Sequence, residues 1–101
     1  MFDKSTRTLM AMMFERSAVN DISGKMEDGR GWSITCYRPN LFRDGTHYEG
    51  YIQGVYHEDF SGDTVDEALD KMDAWLAEEQ EAKETSRVLI GRIKTKLEAL
   101  V

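Results

Sequence analysis

Residues 47–60 read HYEGYIQGVYHEDF. In a strand, successive side chains point to opposite faces. Tyr48, Gly50, Ile52, Gly54 and Tyr56 therefore share one face, and His47, Glu49, Tyr51, Gln53, Val55 and His57 share the other. The first face alternates large and small residues. A glycine in such a row lets a helix approach closely while its bulky neighbours flank the contact. This face is expected to be a core wall, and the mostly polar second face is expected to be wet. The two histidines lie on the wet face, about 33 Å apart along a straight strand, too far to share a ligand. The segment reads as architecture, with any function on its outer side.

Working outward, GWSITCYRP is a second strand. Trp32, Ile34 and Cys36 fall on one face, Ser33, Thr35 and Tyr37 on the other, and Pro39 ends it by removing a ladder donor. NLFRDGT connects the two strands, with Asp44-Gly45 as the turn signal. Upstream, AVNDISGKMEDGRG reads either as a helix tail through Val19, Ile22 and Met26 or, from its glycines, as a loop or ragged strand. Asp3 or Ser5 is placed to cap a first helix running to about Arg16 or Ser17. Leu9, Met12, Met13 and Arg16, and Met10 with Phe14, give that helix a wide apolar cover suited to burial.

Downstream, SGDTVDEALDKMDAWLAEE is the clearest helix, and Thr64 with Glu67 forms a capping-box pattern. Val65, Leu69, Met72 and Leu76 step by four, three and four. EQEAKETS follows without glycine or proline, and then Leu89, Ile93, Leu97 and Leu100 align, flanked by Ile90. A single helix from Thr64 to Leu100 would be about 55 Å long, whereas a compact domain of this size has a radius of gyration near 13 Å. A break near Lys83 to Ser86, giving a helical hairpin, is therefore expected. The alternative is one extended helix whose projecting apolar residues need a partner chain, and hence a dimer.

The 101 residues carry a net charge of −6 and a hydrophobic fraction of 41%, which suit one soluble globular domain. No apolar run approaches the roughly 20 residues of a membrane span, and the N-terminus lacks secretory-leader features. The single Cys36 excludes an intramolecular disulfide, so a reducing cytoplasm is the simplest location. Charge is uneven. Residues 63–84 carry 2 basic and 9 acidic groups, and residues 85–101 carry 4 basic and 1 acidic group. The acidic balance disfavours direct binding to nucleic acid or to an anionic membrane.

The chemistry-bearing residues do not form a reactive constellation. Two histidines and one cysteine lack metal-ligand spacing, no cofactor is implied, and no nucleophile motif is present. Cys36 alternates onto the apolar face and is expected to be buried and inert. Glu58 and Asp59 point apart on a strand and read as solvated. Met10, Met12 and Met13 read as gap-fillers in a small core. Asp63, Asp66, Asp70, Asp73, Glu81 and Glu84, by contrast, repeat at three or four residues and fall on one helical stripe opposite Leu69 and Met72. Their spacing of about 5 Å along the axis approximates the pitch of nucleic-acid phosphates. The stripe is either an ordinary solvated face or a nucleic-acid mimic facing a basic surface on another protein. A second candidate is the loop residues Leu41, Phe42 and Arg43, whose exposed aromatic-plus-arginine composition is that of a binding hot spot; the alternative is that Phe42 folds back onto the sheet edge.

Two strands followed by DFSGDTVDEALDKMDAWL and IGRIKTKLEAL resemble the strand–strand–helix–helix order of small phage anti-CRISPR proteins. The likeness covers about residues 32–100 and rests on the Asp59-Phe60 pair, the capped helix reaching Trp75, and GRI at 91–93; the N-terminal helix departs from it. GDTVDEAL after a tyrosine-rich strand also resembles HicB-type antitoxins, although the PD(L/I)PG segment of that family is missing. The first resemblance implies a phage-encoded inhibitor that blocks a nucleoprotein complex by binding it. The expectation is an α+β domain, with helices packed on the Tyr48–Ile52–Tyr56 face of a small antiparallel sheet. Its expected function is non-enzymatic protein binding, as an acidic inhibitor or DNA mimic of mobile-element origin. The second reading is a small structural, assembly or antitoxin-like protein that dimerises through its C-terminal helix.

Overall fold

The structure, a computed structural model, describes residues 1–41, 44–56 and 58–100. It is α+β. Helix α1 (Lys4–Arg16) precedes strands β1 (Asp21–Lys25), β2 (Gly31–Tyr37), β3 (His47–Ile52) and β4 (Ser61–Gly62), and helix α2 (Val65–Leu100) follows. The strands form one antiparallel sheet in the order β1-β2-β3-β4.

Local chemistry sets the element boundaries. The Asp3 carboxylate accepts the Thr6 N–H at 2.7 Å and so caps α1. That hydrogen bond also holds the Asp3 carboxyl below its ordinary pKa. After Ser17 the chain turns at Ala18, which adopts φ +52°. The ambiguous segment 18–31 is a hairpin arm. Ile22 and Gly24 pair opposite Ile34 and Trp32, and Gly29, at φ +90°, closes the turn by donating to the Met26 carbonyl at 2.9 Å. At the start of α2, the Glu67 N–H donates to Thr64 Oγ1 at 3.1 Å. The Glu67 carboxylate reaches back to the Asp63 N–H at 2.9 Å rather than to that of Thr64.

One face of the sheet makes the core. Ile34, Cys36 and Ile52 are buried there, and Trp32, Tyr48 and Ile22 pack beside them. Gly50 is one place where α2 comes close to the sheet. A Cβ at that position would lie 2.5 Å from Met72 Sδ and 3.0 Å from Phe60 Cβ. Val65, Ala68, Leu69 and Met72 of α2 and Met10 and Phe14 of α1 complete the cluster. Aromatic edges join the layers: Phe2 meets Trp32 at 5.0 Å, Phe14 meets Tyr48 at 5.3 Å, and Phe60 meets Trp75 at 6.3 Å between ring centroids.

Several expectations need correction. Tyr56 is not part of the core wall; it is 79% exposed. The strand ends at Ile52, and Gly54 turns the chain at φ +83°, which breaks the alternation. Val55 instead packs partly on the core. Leu9 and Met12 of α1 are exposed, leaving a narrow apolar face of Met10 and Phe14.

The expected break at Lys83 to Ser86 is absent. α2 is one helix of 36 residues. The EQEAKETS stretch contains no helix breaker, and i,i+4 pairs of Lys83 with Glu79 and of Gln80 with Glu84 support it. The helix therefore runs beyond the head. The radius of gyration is 18.8 Å and the long dimension is 69 Å.

Candidate interaction surfaces

The acidic stripe meets α1 at a single arginine. Arg7, Met10 and Phe14 fall at steps of three and four, so Arg7 lies on the buried face of α1. Its Nη1 is 2.6 Å from Asp70 Oδ1 and 3.3 Å from Asp66 Oδ1, and its Nη2 is 2.8 Å from Asp73 Oδ2. Nε donates to the Phe2 carbonyl at 2.9 Å, and the Phe2 N–H donates back to Asp73 at 3.3 Å. Burial works against the Arg7 charge, but its hydrogen bonds to Asp70, Asp73 and Asp66 outweigh that and raise its pKa. Three of the six carboxylates thus clamp α1 to α2. Asp73 is largely enclosed, with 23% of its side chain exposed, whereas Asp66 and Asp70 keep 70% and 69%. Asp63, Glu81 and Glu84 are exposed.

A second arginine locks the other end of the head. Arg30, in the β1–β2 turn, donates through Nη1 and Nη2 to both Glu79 oxygens at 2.9 and 2.6 Å, and through Nε to Asp28 at 2.8 Å. Its guanidinium carbon lies 5.9 Å from the Trp75 ring centroid. Hydrogen bonds from Arg30 hold the Glu79 and Asp28 carboxyls below the ordinary carboxylate range and raise the arginine's own pKa. An open cleft of about 680 Å³ runs over this cluster, lined by Phe2, Met26, Arg30, Trp32, Leu76 and Glu79. Within it Arg30 is paired with both Asp28 and Glu79, and Lys25 and Glu27 also line it.

In the loop candidate, Leu41 is 97% exposed; Phe42 and Arg43 lie outside the described residues. Arg38 is engaged internally, donating from Nη2 to the Phe14 carbonyl at 2.9 Å and the Val19 carbonyl at 3.2 Å. The polar face of the sheet pairs Ser33 with Tyr51, Thr35 with Glu49 and Tyr37 with His47. Cys36 is buried within the core.

An uncovered apolar surface lies on the distal half of α2. Leu89, Ile93 and Leu97 step by four along one side and are 51%, 59% and 58% exposed; Ile90 beside them is 64% exposed, and Val88 is 54% exposed. Arg87, Arg92, Lys94 and Lys96 flank this stripe. No family model, curated protein or solved structure matches the chain. No helix among the described residues is long and apolar enough to cross a membrane.

The stripes on α2 follow from its helical spacing. The partners of its carboxylates do not, because Arg7 is 66 positions from Asp73 in sequence. One local signal pointed to Arg7: a lone cation at the step before Met10 and Phe14, on a face otherwise committed to burial. Glu79 shares the helical face of Met72 and Leu76 and carried the same kind of signal. A carboxylate on a buried face calls for a cation from another element.

Proposed function

We propose that the protein is a non-enzymatic binding protein that acts as a homodimer joined through residues 85–100. The observation that carries this reading is the apolar stripe of Leu89, Ile90, Ile93 and Leu97 on a helix that has left its own core. An isolated segment of about 15 residues is marginal as a helix in water. A contiguous exposed apolar strip of this kind marks an association site. Pairing two tails would cover roughly 1,000 Å² in total, the lower bound for a specific interface. Each dimer would then carry two acidic heads able to meet another protein. A reducing cytoplasm fits its single buried thiol. Light scattering across a concentration series tests the reading: it expects about twice the 11.6 kDa chain mass at high concentration. A mass that never leaves the monomer value would contradict it.

An acidic inhibitor of the anti-defence type is the second reading. It is favoured by the exposure of Asp66 and Asp70, which remain accessible while bound to Arg7. Its test must spare the Arg7 clamp. Glu81→Lys with Glu84→Lys leaves that clamp intact, and binding to a basic channel protein should weaken at least tenfold. Unchanged affinity would remove this reading.

A further inference from the structure

The head and the uncovered stripe lie on nearly the same side of α2, and this constrains how two copies can meet. At 100° per residue, Val65, Ala68, Leu69, Met72, Trp75 and Leu76 point on average about 50° from Leu89, Ile90, Ile93 and Leu97. The first set faces the sheet: Val65, Ala68, Leu69 and Met72 are buried against it, and Trp75 and Leu76 pack at its margin. A partner helix seated on the second set would run 8–10 Å away. If it ran parallel and in register, its residues 65–80 would lie where this chain's sheet stands, and the partner's head would meet the same obstruction.

We propose that the two tails pair antiparallel, crossing near Ile90 and Ile93, with the heads at opposite ends of the dimer. This rests on the self-association proposed above and specifies its geometry. Each tail then points away from its own head. Residues 85–100 give about 24 Å of overlap before the partner's head begins. The antiparallel arrangement also sets the two helix dipoles in opposition. Each tail keeps Ile90, Ile93 and Leu97 on the shared seam, and its basic flanks remain in solvent.

The test places a nitroxide on α2 outside the seam. Ala74 and Glu78 are exposed and take no part in either arginine cluster. Cys36 is buried and is left unlabelled or replaced by alanine. Residue 74 lies about 18 positions from the crossing, so Ala74→Cys spin labels in an antiparallel dimer should be about 54 Å apart. Labels at Glu78→Cys should be about 12 Å closer, because each label moves four residues toward the crossing. A parallel dimer would give short distances, below about 30 Å, that barely change between the two sites. Long distances with the 12 Å step are the expected result. A dimer with short, unchanging distances overturns the antiparallel arrangement while leaving self-association in place. A chain that stays monomeric at the labelling concentration and above overturns both.

Discussion

Arg7 Nη2 sits 2.8 Å from Asp73 Oδ2, and through that contact α1 is fastened to the N-terminal third of α2. The same guanidinium reaches Asp70 at 2.6 Å and Asp66 at 3.3 Å, so one cation organises three carboxylates. Met10 and Phe14 of α1 and Leu69 and Met72 of α2 belong to the same buried core.

Removing the enclosed member of this cluster should cost more than removing an exposed one. Asp73→Asn is expected to lower unfolding free energy by about 1.5–3 kcal/mol, the range for a hydrogen bond to a charged group. Asp66→Asn, at an exposed site, should cost less than about 0.5 kcal/mol. Urea unfolding of both variants measures the difference. Equal losses would mean that Arg7 does not discriminate among its partners.

Acid should weaken the head through the Arg30 cluster. The Glu79 and Asp28 carboxyls have folded pKa values below their unfolded ones because Arg30 hydrogen-bonds their ionised forms. A depressed carboxylate contributes stability that is fully present above its unfolded value, about 4.3 for glutamate and 3.9 for aspartate. That contribution is lost as pH falls through the folded value. Stability should therefore be steady from pH 7 to about 5 and fall below about pH 4.3. Glu79→Gln should be less stable than wild type at pH 7 and should show a shallower acid decline. Urea midpoints between pH 3 and 7 test this, and parallel wild-type and variant curves would contradict it.

Gly50 is required by contact rather than by backbone angle. A methyl group there would stand 2.5 Å from Met72 Sδ and 3.0 Å from Phe60 Cβ. Gly50→Ala should destabilise by about 1–3 kcal/mol through overpacking. Adding Met72→Ala should give back part of that loss, since the two changes share one space. A fully additive double mutant would show that the sheet shifts instead.

Ala18 adopts φ +52°, where a Cβ crowds the following carbonyl and a glycine does not. Ala18→Gly should raise stability by about 0.5–1 kcal/mol. A drop in thermal midpoint would show that the link between α1 and β1 gains more from a stiff unfolded chain than it loses to strain.

Much of the head could be read before the structure. Trp32, Ile34 and Cys36 alternate as a buried strand does, Gly50 marks the close approach of α2, and Thr64 with Glu67 starts that helix. β1 was ambiguous because Ile22 is its one large apolar residue facing the core, and its pairing with Ile34 comes from another element. Tyr56 was misplaced because the Gly54 turn resets the alternation, and a glycine in a strand pattern reads equally as a packing site or a bend. The continuity of α2 was misjudged for a different reason. EQEAKETS is made of helix-compatible residues, and only the expectation of a compact domain argued for a break. That expectation does not hold here, because α2 runs on past its own core. The acidic stripe was legible as a helical repeat, but the use of Asp66, Asp70 and Asp73 within the fold depended on Arg7, far away in sequence.

If the distal half of α2 holds two copies together, sedimentation equilibrium will show it. The wild-type chain should show a reversible monomer–dimer equilibrium, rising from 11.6 kDa toward twice that mass as concentration increases. Ile93→Asp should remain at the monomer mass over the same range and keep the thermal midpoint of the wild-type monomer, because Ile93 lies outside the core. A wild-type chain that stays at the monomer mass throughout, or an Ile93→Asp variant that dimerises as well as wild type, would contradict pairing through α2.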